Sequence, residues 1–209
     1  MLSIKEIKNR IGSVTSTQQL TKAMKMVAAS KLKRAQDKVI QLRPFSNKLK
    51  VILSNLFSSG GVEDKYFVRR EIKNVLIVVI GSDRGLCGSF NSNLYKEFNA
   101  FISASYKNKS ITVLPIGKKT NDYFNKTNFS LIDDYWQFLR DFNYEKASYI
   151  TDVILKLYES SKYDSVDIIY NEFKNVAVQN TIAEKFLPVE ETQKENESNV
   201  NYIFEPDKT

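Results

Sequence analysis

The hydrophobic positions of the first 58 residues recur at alternating spacings of three and four. From Ile4 they fall on Ile7, Ile11, Val14, Gln18, Thr21, Lys25, Ala28, Leu32, Ala35, Val39, Leu42, Phe45, Leu49, Ile52 and Leu56. That repeat is the seam of a coiled coil. Ser3 followed by Glu6 has the spacing of a capping box, so one very long helix is expected from Ser3 onward. Gln18, Thr21 and Lys25 break the seam together, while Leu20, Met24 and Val27 form a second apolar stripe rotated around the cylinder. A coiled-coil stutter and a surface for a second, non-helical partner both account for that swing. Gly12 is either a point of close helix approach or a tolerated blemish. Pro44 cannot donate to the Ile40 carbonyl, which predicts a kink or a break there.

After Ser59-Gly60-Gly61 the pattern changes, and residues 59–73 read as a polar linker. Val75–Ile80 is a continuous apolar, β-branched run, which suits a strand covered on both faces. Helix-periodic and strand-like segments then alternate. A helix is expected at 91–102, a strand at 111–116, a short helix at 118–124, a weaker strand at 129–132, a helix at 144–161 and a strand at 166–170. Val176–Val178 and the region of Phe186-Leu187 read as further extended structure, 190–199 as an acidic surface loop, and Tyr202-Ile203-Phe204 as a short strand. The alternation predicts an α/β fold: a Rossmann-like, doubly wound, mostly parallel sheet over 74–209, joined to the N-terminal coiled-coil helix of 1–58. No second helix long enough to fill the seam follows, so a partner chain or a missing C-terminal part is expected to cover it.

Charge sharpens this division. Residues 1–58 carry 12 lysines and arginines against 2 acids, whereas the remainder is mildly acidic. A basic helix suits nucleic acid, a solvated face or an acidic collar alike. A single cysteine, Cys87, excludes an internal disulfide, and the absence of histidine removes the commonest metal ligand and general base. No apolar run reaches the length of a membrane span.

The turn-rich stretch Gly81 to Gly88, between the first strand and its helix, is the place for phosphate chemistry in such folds. Its glycines, at 81, 85 and 88, match neither G-x-G-x-x-G nor the Walker pattern, and Asp83 would repel phosphate. The alternative is a turn at the sheet edge with Asp83 and Arg84 pairing locally. Cys87 near Arg84 could be a reactive thiol, or simply a small hydrophobe. The carboxylate pairs Asp133-Asp134 and Glu190-Glu191 lack a third catalytic group.

Two longer stretches carry a family resemblance. Thr21-Lys22-Ala23-Met24-Lys25-Met26-Val27-Ala28-Ala29-Ser30-Lys31-Leu32 and Asp83-Arg84-Gly85-Leu86-Cys87-Gly88-Ser89-Phe90-Asn91 resemble the gamma subunit of F-type ATP synthases; Leu187-Pro188 and Tyr202–Pro206 fit in the same order. The resemblance implies a non-catalytic rotor shaft, without cofactor or nucleic acid, that couples proton flow to ATP synthesis. It implies enclosure by alpha and beta subunits, with Met24, Lys25, Val27 and Lys31 facing them. The sheet domain is then a foot near the epsilon subunit and the c-subunit ring, peripheral to the cytoplasmic face of a bacterial inner membrane. That family pairs its long helix with a C-terminal one, which is expected to be absent here after Thr209. An independent nucleotide-binding protein and a basic nucleic-acid-binding coiled coil are the alternatives.

Overall fold

The computed structural model describes residues 3–58, 66–67, 69–140 and 142–189, with the side chains of the first helix described as far as residue 52. The long helix α1 (Ile4–Ser58) is one unit, and a second unit takes up the chain from Val62.

The start of α1 is a reciprocal capping box. The Ser3 amide donates to Glu6 Oε2 at 2.7 Å, and the Glu6 amide donates to Ser3 Oγ at 3.3 Å. Two amides that the helix leaves without a partner are thereby satisfied. The helix passes through Pro44 as a single element, so a break, one of the two outcomes expected there, does not form. The hydrogen bonds on either side of the proline carry the helix across the missing one. At about 1.5 Å per residue, α1 is roughly 80 Å long.

None of the described side chains of α1 is buried. Val39 and Ile52 are half-buried, and the other described seam residues are exposed, including Ile4, Ile7, Ile11, Val14, Ala28, Leu32, Ala35 and Leu42. Thr21, one of the three seam breaks, donates its hydroxyl to the Thr17 carbonyl at 2.8 Å. Thr15 and Thr17 do the same to Ile11 and Ser13. These hydroxyls are satisfied within the helix, the back-bonding pattern open to threonine in a helix interior.

The second unit is a five-stranded sheet in the order β3-β2-β1-β4-β5. The strands are β1 (Asn74–Ile80), β2 (Ser110–Ile116), β3 (Ser130–Leu131), β4 (Ser165–Phe173) and β5 (Gln179–Leu187). The helices are α2 (Phe90–Ser105), α3 (Lys118–Phe124) and α4 (Tyr144–Glu159), with a 3-10 turn at Trp136–Leu139. The first four strands pair in parallel, and β5 pairs antiparallel with β4.

Strand β1 is central and buried from Val75 to Val79. Its alternate residues serve two cores. Leu76 and Val78 pack with Ile150, Ile154 and Tyr158 of α4. Val75, Ile77 and Val79 pack with Leu94 and Phe98 of α2 and Phe124 of α3. A strand covered by helices on both faces has no polar side to alternate with, hence the unbroken apolar run.

Two sequence expectations change. Residues 69–73, read as part of a polar linker, are tied down. Arg70 Nη1 donates to the Tyr158 carbonyl and to Ser161 Oγ, both at 3.1 Å, and its guanidinium lies 4.7 Å from the Tyr158 ring centre. The amides of Lys73 and Asn74 both donate to Asp164 Oδ2. The polar residues of this segment tie it to the sheet unit. Likewise, Val176–Val178 is not extended but closes the β4–β5 hairpin. Asn175 Oδ1 accepts from the amides of Ala177 and Val178 at 2.9 and 2.8 Å, a side-chain-stabilised turn. The readings made for 190–209, including the Tyr202–Phe204 strand and the absent C-terminal helix, lie outside the described residues.

Gly81 leaves no room for a side chain: a Cβ there would lie 2.0 Å from Thr120 Oγ1. Gly81→Ala is expected to lower the stability of the sheet unit by about 1–3 kcal/mol, read as a lower denaturation midpoint in urea. Tyr170 supplies a pH signature. Burial, and then the Glu184 carboxylate that its hydroxyl contacts at 3.1 Å, push its pKa up to about 12. The folded state therefore holds this proton more tightly than the unfolded one. Its contribution to stability is complete below the ordinary tyrosine value near 10 and is lost as pH rises from there to about 12. In urea titrations across that window, Tyr170→Phe should lose stability less steeply than the parent chain.

Candidate functional site

The residues singled out from the sequence fall into two groups, one in each unit. Met24, Lys25, Val27 and Lys31 belong to α1 and are all exposed. At about 100° per residue, Met24 and Val27 lie about 60° apart and share one face, while Met26 points to a different side of the helix. The exposures of Met24, Met26 and Val27 are 65%, 62% and 57%. At this level α1 carries large apolar side chains on two faces, with Lys25 between them. A helix with that distribution is normally enclosed by other polypeptide.

The second group, Asp83 to Gly88, forms the β1–α2 loop. It leaves the carboxyl end of the central strand and not a sheet edge, because β1 lies between β2 and β4. Two glycines set its base. Gly81 packs against Thr120, and Gly117, at the end of β2, has φ 107° with its Cβ direction facing the Gly81 and Ser82 backbone at 3.1 Å. The exits of β1 and β2 therefore approach more closely than side chains would permit.

From that base a small polar network holds the loop. Asn91 Nδ2 donates to Ser82 Oγ at 2.7 Å and to Cys87 Sγ at 3.4 Å, while Asn91 Oδ1 accepts from the Ser82 amide at 3.2 Å. Ser82 Oγ donates to the Arg84 carbonyl at 2.8 Å. Asp83 does not pair with Arg84. Its Oδ1 accepts from the Lys118 amide at 3.0 Å, satisfying the first amide of α3. A short carboxylate beside a helix start finds a better donor in that fixed amide than in a mobile guanidinium. Local sequence reasoning could not see this bond, because the partners are 35 residues apart.

The network turns the loop outward. Leu86 sits at φ 61°, a conformation unfavourable to a side chain, and is fully exposed. Gly88 also has positive φ, at 60°. Cys87 is exposed, and its sulfur lies in contact distance of Asn91 and the Arg84 carbonyl. The loop is an outward-facing, internally braced projection with an apolar tip. Asn91 and Ser82 organise it, and sequence reasoning gave neither of them that role; Asn91 was visible only as the first residue of the expected helix and the last of the second motif stretch.

The two groups share one property: apolar side chains held in water. An environment-sensitive hydrophobic dye is expected to bind the purified chain, and its emission should fall when the residues around Met24 are covered. A chain that remains monomeric with no dye response would contradict exposure of this surface.

The ATP synthase family model matches residues 3–209. An ATP synthase gamma chain from Cytophaga hutchinsonii is 43% identical over 218 residues, covering 100% of this chain and 74% of that protein. The one from Chloroherpeton thalassium is 40% identical, covering 99% of this chain and 73% of its own length. Among solved structures, the central stalk and c-ring of the Tetrahymena thermophila mitochondrial ATP synthase contains a chain 30% identical, with a TM-score of 0.61, covering 81% of this chain and 72% of that one. With the same long helix joined to a mostly parallel sheet and both motif stretches inside the matched span, the chain belongs to the ATP synthase gamma-chain family.

Proposed function

We propose that this chain is the rotating, non-catalytic central stalk of an F-type ATP synthase. On this reading α1 is a shaft enclosed by the alpha and beta subunits. The sheet unit faces the epsilon subunit and the c-subunit ring, at the cytoplasmic face of a bacterial inner membrane. Proton flow turns the shaft, and its asymmetry drives the catalytic sites of the hexamer through different states. No bond is made or broken on the shaft itself.

The observation that carries this reading is the uncovered apolar surface of α1, which spans two faces at Met24 to Val27. The excess of 12 basic residues over 2 acids in 1–58 suits an acidic enclosure. Met24, Lys25, Val27 and Lys31 are the residues assigned to the contact. Leu86, held outward at positive φ, is assigned as the anchor of a second contact made by the loop. Backbone strain that keeps an apolar residue in solvent has no stabilising role in the isolated chain, and such outliers cluster at functional contacts.

Reconstitution tests the reading. Mixed with alpha and beta subunits, the chain should co-purify with them and raise their ATPase rate. Recovery of the chain alone, with no change in rate, would sink the proposal. Met24→Ala removes roughly 1.5–3 kcal/mol of burial, so its affinity for the hexamer should fall about tenfold or more. Leu86→Ala should leave the urea midpoint of the sheet unit nearly unchanged while weakening assembly.

A further inference from the structure

A small cavity of about 130 Å³ lies where the β1–α2 loop, the start of α3 and the 3-10 turn meet. Asp83, Arg84, Lys118, Trp136 and Arg140 line it. Three of these carry positive charge, on three separate segments of chain. The side chains of Arg84, Lys118 and Arg140 have no hydrogen-bond or ion-pair partner among the described residues. Asp83 is the one carboxylate in the lining, and one of its oxygens already accepts the Lys118 amide. That bond also occupies the first amide of α3, so the helix start is not a free anion site. Three cations around so small a space repel one another unless an anion sits among them.

The size of the cavity narrows the ligand class. Sites for nucleotides and other drug-sized molecules usually span roughly 300–1,000 Å³. This one is too small for a nucleoside but adequate for a single oxyanion. Two arginines and a lysine lining it from different segments suit a ligand with several acceptor oxygens arranged in three dimensions. A planar carboxylate has fewer acceptors to offer three donors.

We propose that this cavity binds a small tetrahedral oxyanion, represented by inorganic phosphate, through Arg84, Lys118 and Arg140 beside the Trp136 indole. The bound ion ties the base of the loop to the start of α3 and to the 3-10 turn, which steadies the Leu86 tip. The inference is independent of the shaft function, since every residue it uses belongs to the sheet unit.

The test uses the full chain. Trp136 is its only tryptophan, so emission excited selectively at the indole, away from the tyrosines, reports on this cavity. Titration with phosphate should give a saturable change with a Kd on the order of 1 mM. Potassium chloride at matched ionic strength should not reproduce it, and acetate should bind at least about tenfold more weakly. Arg84→Ala and Arg140→Ala, both changes of exposed side chains, should each weaken phosphate by about tenfold or more, whereas Lys22→Ala on α1 should have no effect. Equilibrium dialysis with radiolabelled phosphate gives the same constants without relying on the indole. The proposal is overturned if chloride gives the same response, if acetate binds as well as phosphate, if either arginine variant binds unchanged, or if dialysis retains no phosphate.

Discussion

A helix of 55 residues with large apolar side chains on more than one face is not self-sufficient in water. Burial of apolar surface contributes about 25 cal/mol per Å², and α1 leaves most of its own surface uncollected. Its capping box and internal hydrogen bonds satisfy the backbone, but they do nothing for Ile11, Met24 or Phe45, each more than half exposed. Cover for those residues has to come from other polypeptide surface. The stalk reading of this protein starts from that deficit.

The sheet unit presents the opposite case. Its central strand is covered on both faces, and its aromatic residues pack edge to face around Phe98 and Phe124. Even the segment leading into it is fastened, through Arg70 and Asp164, to the turn that precedes β4. What such a unit adds to a rotor is rigidity, since a torque-bearing element must not yield before its partners do. The loop after β1 fits this account. Two glycines permit the close approach of the β1 and β2 exits, and Ser82, Asn91 and Asp83 brace a projection whose tip is apolar.

The loop occupies the position where doubly wound folds commonly hold a phosphate-bearing cofactor. Here Gly81 packs against Thr120, and Gly117 closes on the Gly81 and Ser82 backbone. The charged cavity lies to one side of this packing, on residues from the start of α3 and the 3-10 turn.

Much of this protein is written in local pattern. The 3-4 repeat of α1, its capping box and the apolar run of β1 each depend on neighbours within a few residues, so the sequence alone determined them. The order of helices and strands followed from the same periodicities, and the second-stripe residues Met24 and Val27 were visible as a rotation of the helical repeat. Tertiary structure decided what depends on distant pairings. It placed β1 at the centre of the sheet and turned 69–73 from linker into strap. It folded Val176–Val178 into a hairpin turn, because Asn175 could satisfy that turn while β5 paired with β4. It gave Asp83 the Lys118 amide in place of Arg84, and it brought Arg84, Lys118 and Arg140 to one cavity. Residues far apart in sequence meet only when strand order is set, and no local period encodes that order.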